Sequence, residues 1–246
     1  MKGCLFVCLI GLTLLFALLL PCAALSADEI PDSVSEYSSA LAELMKSRDR
    51  QSIEPVFEAG MKTTSRLQAV LPSLTEEQYQ QVQHEMQGFV VVRQQDEQSL
   101  VRPNLSFFGS LAKKKGTNPD RAFFDIYERT EPDGNGQFPA YVRAEPNQET
   151  GCTLFGGKQL GDLYRGWLSF RTANPDSYAN EAQGEMDAIE NELRSGICSC
   201  DSADATAAGL QSFVDSFPNL PMTPKIKDRI ASIHAGTSSF RFKCKG

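Results

Sequence analysis

Leu74-Thr75-Glu76-Glu77-Gln78-Tyr79-Gln80-Gln81-Val82 opens a helix with the most complete start signal in the chain. The Thr75 hydroxyl can accept one free backbone N–H of the first turn, and the Gln78 side chain can reach back to another, which makes a capping box. Leu74 and Tyr79 stand where a hydrophobic staple brings two apolar side chains together across the helix start. Val82, Met86, Phe89 and Val90 continue the apolar stripe expected on the inner face.

Outward from this helix the same periodicity recurs. Toward the N-terminus, Val34, Tyr37, Leu41, Leu44 and Met45 predict one helix. Ser52 is expected to cap a second, which carries Val56, Phe57, Leu67 and Val70 and is closed by Pro72. Toward the C-terminus, Asn104 begins a helix ending in Lys113-Lys114-Lys115-Gly116, cations on the negative helix end followed by glycine. Asn118-Pro119-Asp120 and Asn174-Pro175-Asp176 are both expected to start helices, with Asn as cap and Pro in the first turn. Phe123, Phe124, Ile126 and Tyr127 follow the first. Tyr178, Ala182, Met186, Ile189 and Leu193 follow the second, which Gly196 stops. Leu160, Leu163, Tyr164, Trp167 and Leu168 form a helical stripe between them. Asp201 is expected to cap a helix ending near Phe217, and Thr223-Pro224 a last one with Ile226, Ile230 and Ile233.

Two segments do not read as helix. Glu131 to Gln148 is rich in Pro, Gly and Asn and reads as a long loop with a short strand at 140–143. The tail Phe240-Arg241-Phe242-Lys243-Cys244-Lys245 alternates with period two, as a half-buried strand does. The predicted fold is therefore mainly α, a multi-helix bundle-like domain with a disulfide-stapled C-terminal half and a short β-like tail. Residues 33–100 should form a helical subdomain on a disulfide-containing part, 104–246. The core should hold Leu67, Val82, Phe89, Phe124, Leu163, Trp167, Ile189 and Ile230.

The cysteines divide the chain. Cys4, Cys8 and Cys22 lie in an N-terminal segment with a positive start at Lys2, an apolar run from Leu5 to Leu20, and small residues at Ala24 and Ser26. This reads as a signal peptide, residues 1–26, cleaved before Ala27. An uncleaved anchor and lipidation at Cys22 are the alternatives, and Pro21 is a poor residue before a lipidated cysteine. Cys152, Cys198, Cys200 and Cys244 remain in the mature chain, 27–246. An even number of cysteines in an exported chain predicts two disulfides. Four cysteines allow three connectivities. Pairing of Cys198 and Cys200 with Cys152 and Cys244 is expected over a strained Cys198–Cys200 bond, which would suit a redox role. Only one tight Cys-x-Cys pair exists, so a structural zinc site is not expected.

Other candidate chemistry reduces to structure. His84 lies on the polar side of its helix and His234 in the last turn of its own, where an imidazolium suits the helix end. Asp133-Gly134-Asn135-Gly136-Gln137 imitates a calcium loop, but Phe138 and Ala144 stand where glycine and a bidentate Glu are required. Gly156-Gly157-Lys158 lacks the first glycine and the Ser or Thr of a phosphate loop. Glu181, Glu185, Asp187, Glu190 and Glu192 are scattered around one helix, and most should face water. Asn104-Leu105-Ser106 is a glycosylation sequon. Leu74 to Gln78 resembles the Leu-Thr-x-x-Gln motif of small periplasmic stress chaperones. That family is shorter and usually repeats the motif, and a capping box already accounts for these five residues. No cofactor or metal is expected.

The chain carries a formal net charge of −7 and would carry −8 without the leader, which argues against nucleic-acid binding. No second long apolar stretch follows the leader, so no membrane span is expected after cleavage. The charge is unevenly placed: Lys225, Lys227, Arg229, Arg241, Lys243 and Lys245 face one acid, Asp228, within the same stretch. These six bases are the candidate partner-binding residues, for a protein or an anionic envelope component. A charged edge strand that resists aggregation is the plainer explanation of the tail. The sequence thus points to a periplasmic or secreted, non-enzymatic interaction protein. An envelope hydrolase acting on polysaccharide through carboxylates, or a thiol-disulfide redox protein, are the rivals.

Overall fold

The structure, a computed structural model, describes residues 30–93, 99–132, 138–144 and 151–244. The expected signal peptide, the Asp133 to Gln137 turn and Lys245 lie outside the described residues. Among the described residues the fold is mainly helical: α1 (Asp32–Lys46), α2 (Glu54–Val70), α3 (Glu76–Glu85), α4 (Leu105–Lys114), α5 (Asn118–Thr130), α6 (Gln159–Ala173), α7 (Ala179–Ser195), α8 (Ala203–Ser216) and α9 (Thr223–His234). Two short antiparallel pairs accompany them, β1 (Phe89–Val92) with β2 (Leu100–Pro103) and β3 (Val142–Arg143) with β4 (Cys152–Thr153). No helix among the described residues is long and apolar enough to cross a membrane.

The helices pack as successive pairs. α1 lies on α2 and α3, α4 on α5, α6 on α7 and α8 on α9, while α5 joins α6 and α7 joins α9. The predicted capping box at Thr75 is present, with the Thr75 N–H donating to Gln78 Oε1 at 2.8 Å and the Gln78 N–H donating to Thr75 Oγ1 at 3.2 Å. All eight expected core residues are buried, in one apolar cluster running from Val34 to Phe240. At its centre Phe57, Phe108, Phe123, Phe124, Trp167 and Tyr178 meet edge to face or stacked. Trp167 satisfies its indole N–H on Thr130 Oγ1 at 3.0 Å.

Several expected boundaries are corrected. Phe89 and Val90 do not extend the third helix: Gly88, at φ +89°, turns the chain and the β-branched run Val90–Val92 pairs with β2 instead. The strand pair crosses the boundary expected at residue 100, since β2 runs on to Pro103, and it lies against α2 and α3. Thr117 rather than Asn118 caps α5. Ser202 rather than Asp201 caps α8, its hydroxyl accepting from Ala205 N–H at 3.3 Å. Asp201 accepts from Gly156 N–H at 2.7 Å instead. Met222 rather than Thr223 precedes α9.

Asn174-Pro175-Asp176 starts no helix. Asn174 closes α6, and α7 begins only after Tyr178, a buried residue with φ +49°. Such a left-handed conformation costs a non-glycine residue on the order of 1–3 kcal/mol, so its surroundings must impose it. They do: the Tyr178 N–H donates to Glu54, its ring stacks on Phe123 at 3.8 Å, and its hydroxyl donates to Asp120 Oδ1 at 2.7 Å. Asp120 is fully buried and also accepts from Ile53 N–H at 3.0 Å and from Thr117 N–H and Oγ1–H at 2.6 Å. One carboxylate thus ties the positive ends of α2, α5 and α7 together.

Candidate functional site

Residues 197–200 form the middle of a small assembly of extended chain. On one flank Thr153 N–H donates to Cys198 O at 2.9 Å and Cys200 N–H to Thr153 O at 3.0 Å. On the other, Arg241 N–H donates to Ile197 O at 2.7 Å and Ser199 N–H to Arg241 O at 2.8 Å. Disulfides reinforce both flanks, Cys152–Cys200 on one and Cys198–Cys244 on the other. Each cysteine of the Cys-x-Cys pair therefore bonds elsewhere, as expected. Ser199 between them is fully buried and shares a 2.7 Å hydrogen bond with Thr206. Two disulfides fit an extracytoplasmic protein.

The tail is less regular than a strand. Phe240 is buried, Arg241 exposed, Phe242 half-buried and Lys243 exposed, so the alternation holds to this point. Lys243 then adopts φ +54°, and Cys244 turns back to donate its N–H to Ser199 O at 2.9 Å. Lys225 and Lys227 are exposed on α9. None of Lys225, Lys227, Arg241 and Lys243 forms an ion pair among the described residues.

Arg229 differs from these four. It is half-buried, its guanidinium lies 3.9 Å from the centre of the Phe240 ring, and it donates to the carbonyls of Glu192, Leu193 and Gly196 at the end of α7. Burial lowers its pKa to about 10 against the favourable Glu192 charge. Arg229 therefore caps a helix end and clamps the tail rather than presenting charge to solvent. Both histidines are exposed. The Asn104 side chain accepts from Phe107 N–H at 3.1 Å, as the cap of α4.

The carboxylates of α7 depart from expectation. Only Asp187 of the five is exposed; Glu181, Glu185, Glu190 and Glu192 are half-buried. Glu190 accepts from the Tyr164 hydroxyl at 2.8 Å and Glu192 from the Thr153 hydroxyl. Burial pushes the Glu185 carboxyl up to about 7, and the neighbouring charge of Glu131 adds to the shift. The hydroxyls of Tyr127 and Tyr141 are also raised, chiefly by burial and next by Glu185. Burial lowers the Arg102 pKa, and the charge of Glu131 partly opposes this. The sequence carries no sign that the charge of Glu131, at the end of α5, acts on Glu185 of α7. The only local clue is the i, i+4 spacing of Glu181 and Glu185 beside the buried Ala182 and Met186.

No group of three or more His, Cys, Asp or Glu that could hold a metal ion exists among the described residues. Comparison with protein-family models, with curated proteins and with solved structures finds no match, so the reading of these surfaces rests on their own residues.

Proposed function

We propose that this chain is an exported, non-enzymatic interaction protein that docks an acidic partner, a protein or an anionic envelope component, on its basic C-terminal corner. The observation that carries this reading is the tail at Arg241 and Lys243. It is hydrogen-bonded to residues 197–201, locked by Cys198–Cys244, and leaves both cations exposed and without an ion pair among the described residues. A surface fixed in advance loses little conformational entropy on binding, and clustered charge steers association with an oppositely charged partner. The expected signal peptide and the two disulfides support export.

The test is affinity purification of the tagged mature chain from its own envelope or secreted fraction, beside a variant with Lys225, Lys227, Arg241 and Lys243 changed to Glu. A stoichiometric partner retained by the wild type, released by salt and lost with the charge reversal supports the reading. A partner held equally by both, or none at any ionic strength, removes it.

One observation favours a second reading, hydrolysis through carboxylates. Glu185 has the raised pKa a general acid needs at neutral pH, and Glu131 acts on it electrostatically. Release of reducing ends from envelope polysaccharide, lost in Glu185→Gln and in Glu131→Gln, is the outcome that reading requires.

A further inference from the structure

The tail is the outer member of the extended assembly around residues 197–200, and its far side is an open edge. Arg241 turns both of its backbone groups inward, the N–H donating to Ile197 O at 2.7 Å and the C=O accepting from Ser199 N–H at 2.8 Å. Along extended chain the backbone groups of successive residues point to opposite sides in the plane of a sheet. Those on either side of Arg241 therefore face away from the assembly. The Phe240 C=O and the Phe242 N–H and C=O form no hydrogen bond among the described residues. Burying such a group unpaired costs about 1–3 kcal/mol, so these three belong in water.

The edge is fixed in place. Phe240 is buried beneath the Arg229 guanidinium, and the Phe242 ring stacks on it at 5.7 Å. The Lys243 N–H donates to Asp201 O at 3.0 Å, and the Cys198–Cys244 bridge locks the end. The edge is also short, because Lys243 bends the chain at φ +54°. Phe240 and Phe242 pack toward the core, while Arg241 and Lys243 are exposed. Cations on an edge repel a second copy of the same edge and so oppose self-pairing. The same cations favour a strand of opposite charge.

We infer that this edge takes up an extended segment of a partner protein as an added strand, a segment in which acidic and apolar residues alternate. The inference rests on the docking reading above and narrows it from an anionic partner of either kind to a peptide chain. A parallel segment bonds to Phe240 C=O and Phe242 N–H, and an antiparallel one to both groups of Phe242. Residues opposite each other across a strand pair share a face. The acidic side chains then meet Arg241, and the apolar ones lie beside Phe242. An anionic polysaccharide or lipid matches the charge but offers no peptide repeat to the edge.

The probe is a blocked hexapeptide of alternating glutamate and valine, titrated into the mature chain and followed by NMR. The same peptide N-methylated along its main chain keeps the charge and loses the hydrogen bonds, and heparin is a polyanion without a peptide backbone. At saturation the Phe242 amide should exchange its hydrogen at least about tenfold more slowly than in the free protein. N-methylation should weaken binding about tenfold or more, and so should Arg241→Glu with Lys243→Glu. Peptide mapping that recovers Cys198–Cys244 from this variant shows that its tail is still in place. No saturation up to about 10 mM, or equal affinity for the N-methylated peptide, overturns the inference. Heparin binding that charge reversal abolishes, with the Phe242 amide unprotected by the hexapeptide, also overturns it and leaves the docking reading standing. Protection of Phe242 at undiminished affinity in the charge-reversed variant keeps strand addition but overturns the acidic assignment, and the docking reading with it.

Discussion

Glu185→Gln should stabilise this protein, and more so as the solution becomes alkaline. In the folded chain burial, with help from Glu131, moves the Glu185 carboxyl from its ordinary 4.5 to about 7. Between those two pH values the native state holds a proton that the unfolded chain has released. Stability from this group is therefore present below about 4.5 and is lost as pH rises toward about 7. At about 1.4 kcal/mol per pH unit, the gap corresponds to roughly 3 kcal/mol. Glu185 is only half-buried, and solvent screening reduces this to about 1–3 kcal/mol. Glutamine keeps the shape without the charge. The variant should match the wild type at about pH 4 and exceed it by that amount at about pH 8. Urea unfolding at a series of pH values, with unchanged m-values, measures the difference. Glu131→Gln should recover the smaller share, because burial is the larger cause. A Glu185→Gln offset that does not vary with pH, or a variant weaker than wild type at the alkaline end, would refute the reasoning.

Asp120→Ala should cost roughly 3–5 kcal/mol, because it strands the Ile53 N–H, the Thr117 donors and the Tyr178 hydroxyl in the core. Thermal melting reads this loss, and a fall below about 1 kcal/mol would remove Asp120 from the centre of the fold. Replacing Cys152 and Cys200 together by Ser opens a loop spanning 48 residues and should cost about 3–4 kcal/mol on the chain-entropy estimate. Peptide mapping without reductant should recover Cys152–Cys200 and Cys198–Cys244. A Cys198–Cys200 peptide would contradict this connectivity.

Local patterns carried most of the helical framework. The Thr75 capping box, the Asn104 cap and the stripes around Val56, Trp167, Ile189 and Ile230 all act within a few residues of themselves, so their physics is visible in one dimension. Misreadings arose where distant partners override a local preference. Asn174-Pro175-Asp176 has the composition of a helix start, yet Glu54, Phe123 and Asp120 hold Tyr178 in a conformation that delays α7. Phe89 and Val90 fit a helical stripe, but Gly88 and the following β-branched residues carried the opposing signal. The surfaces were less legible still. The basic residues could be counted but not sorted, since only the contact with α7 separates Arg229 from the others. The influence of Glu131 on Glu185 depends on segments far apart in the chain.

The two disulfides interleave: the bridge starting at Cys152 ends at Cys200, beyond Cys198, where the second bridge begins. The covalent rings overlap, and no peptide bond between Cys152 and Cys244 lies outside both. A protease that nicks this stretch once, anywhere along it, releases nothing; the two pieces stay joined by one bridge or by both. Cleavage there is invisible by size until a reductant is added, so the C-terminal half can tolerate backbone damage that would sever an unbridged domain.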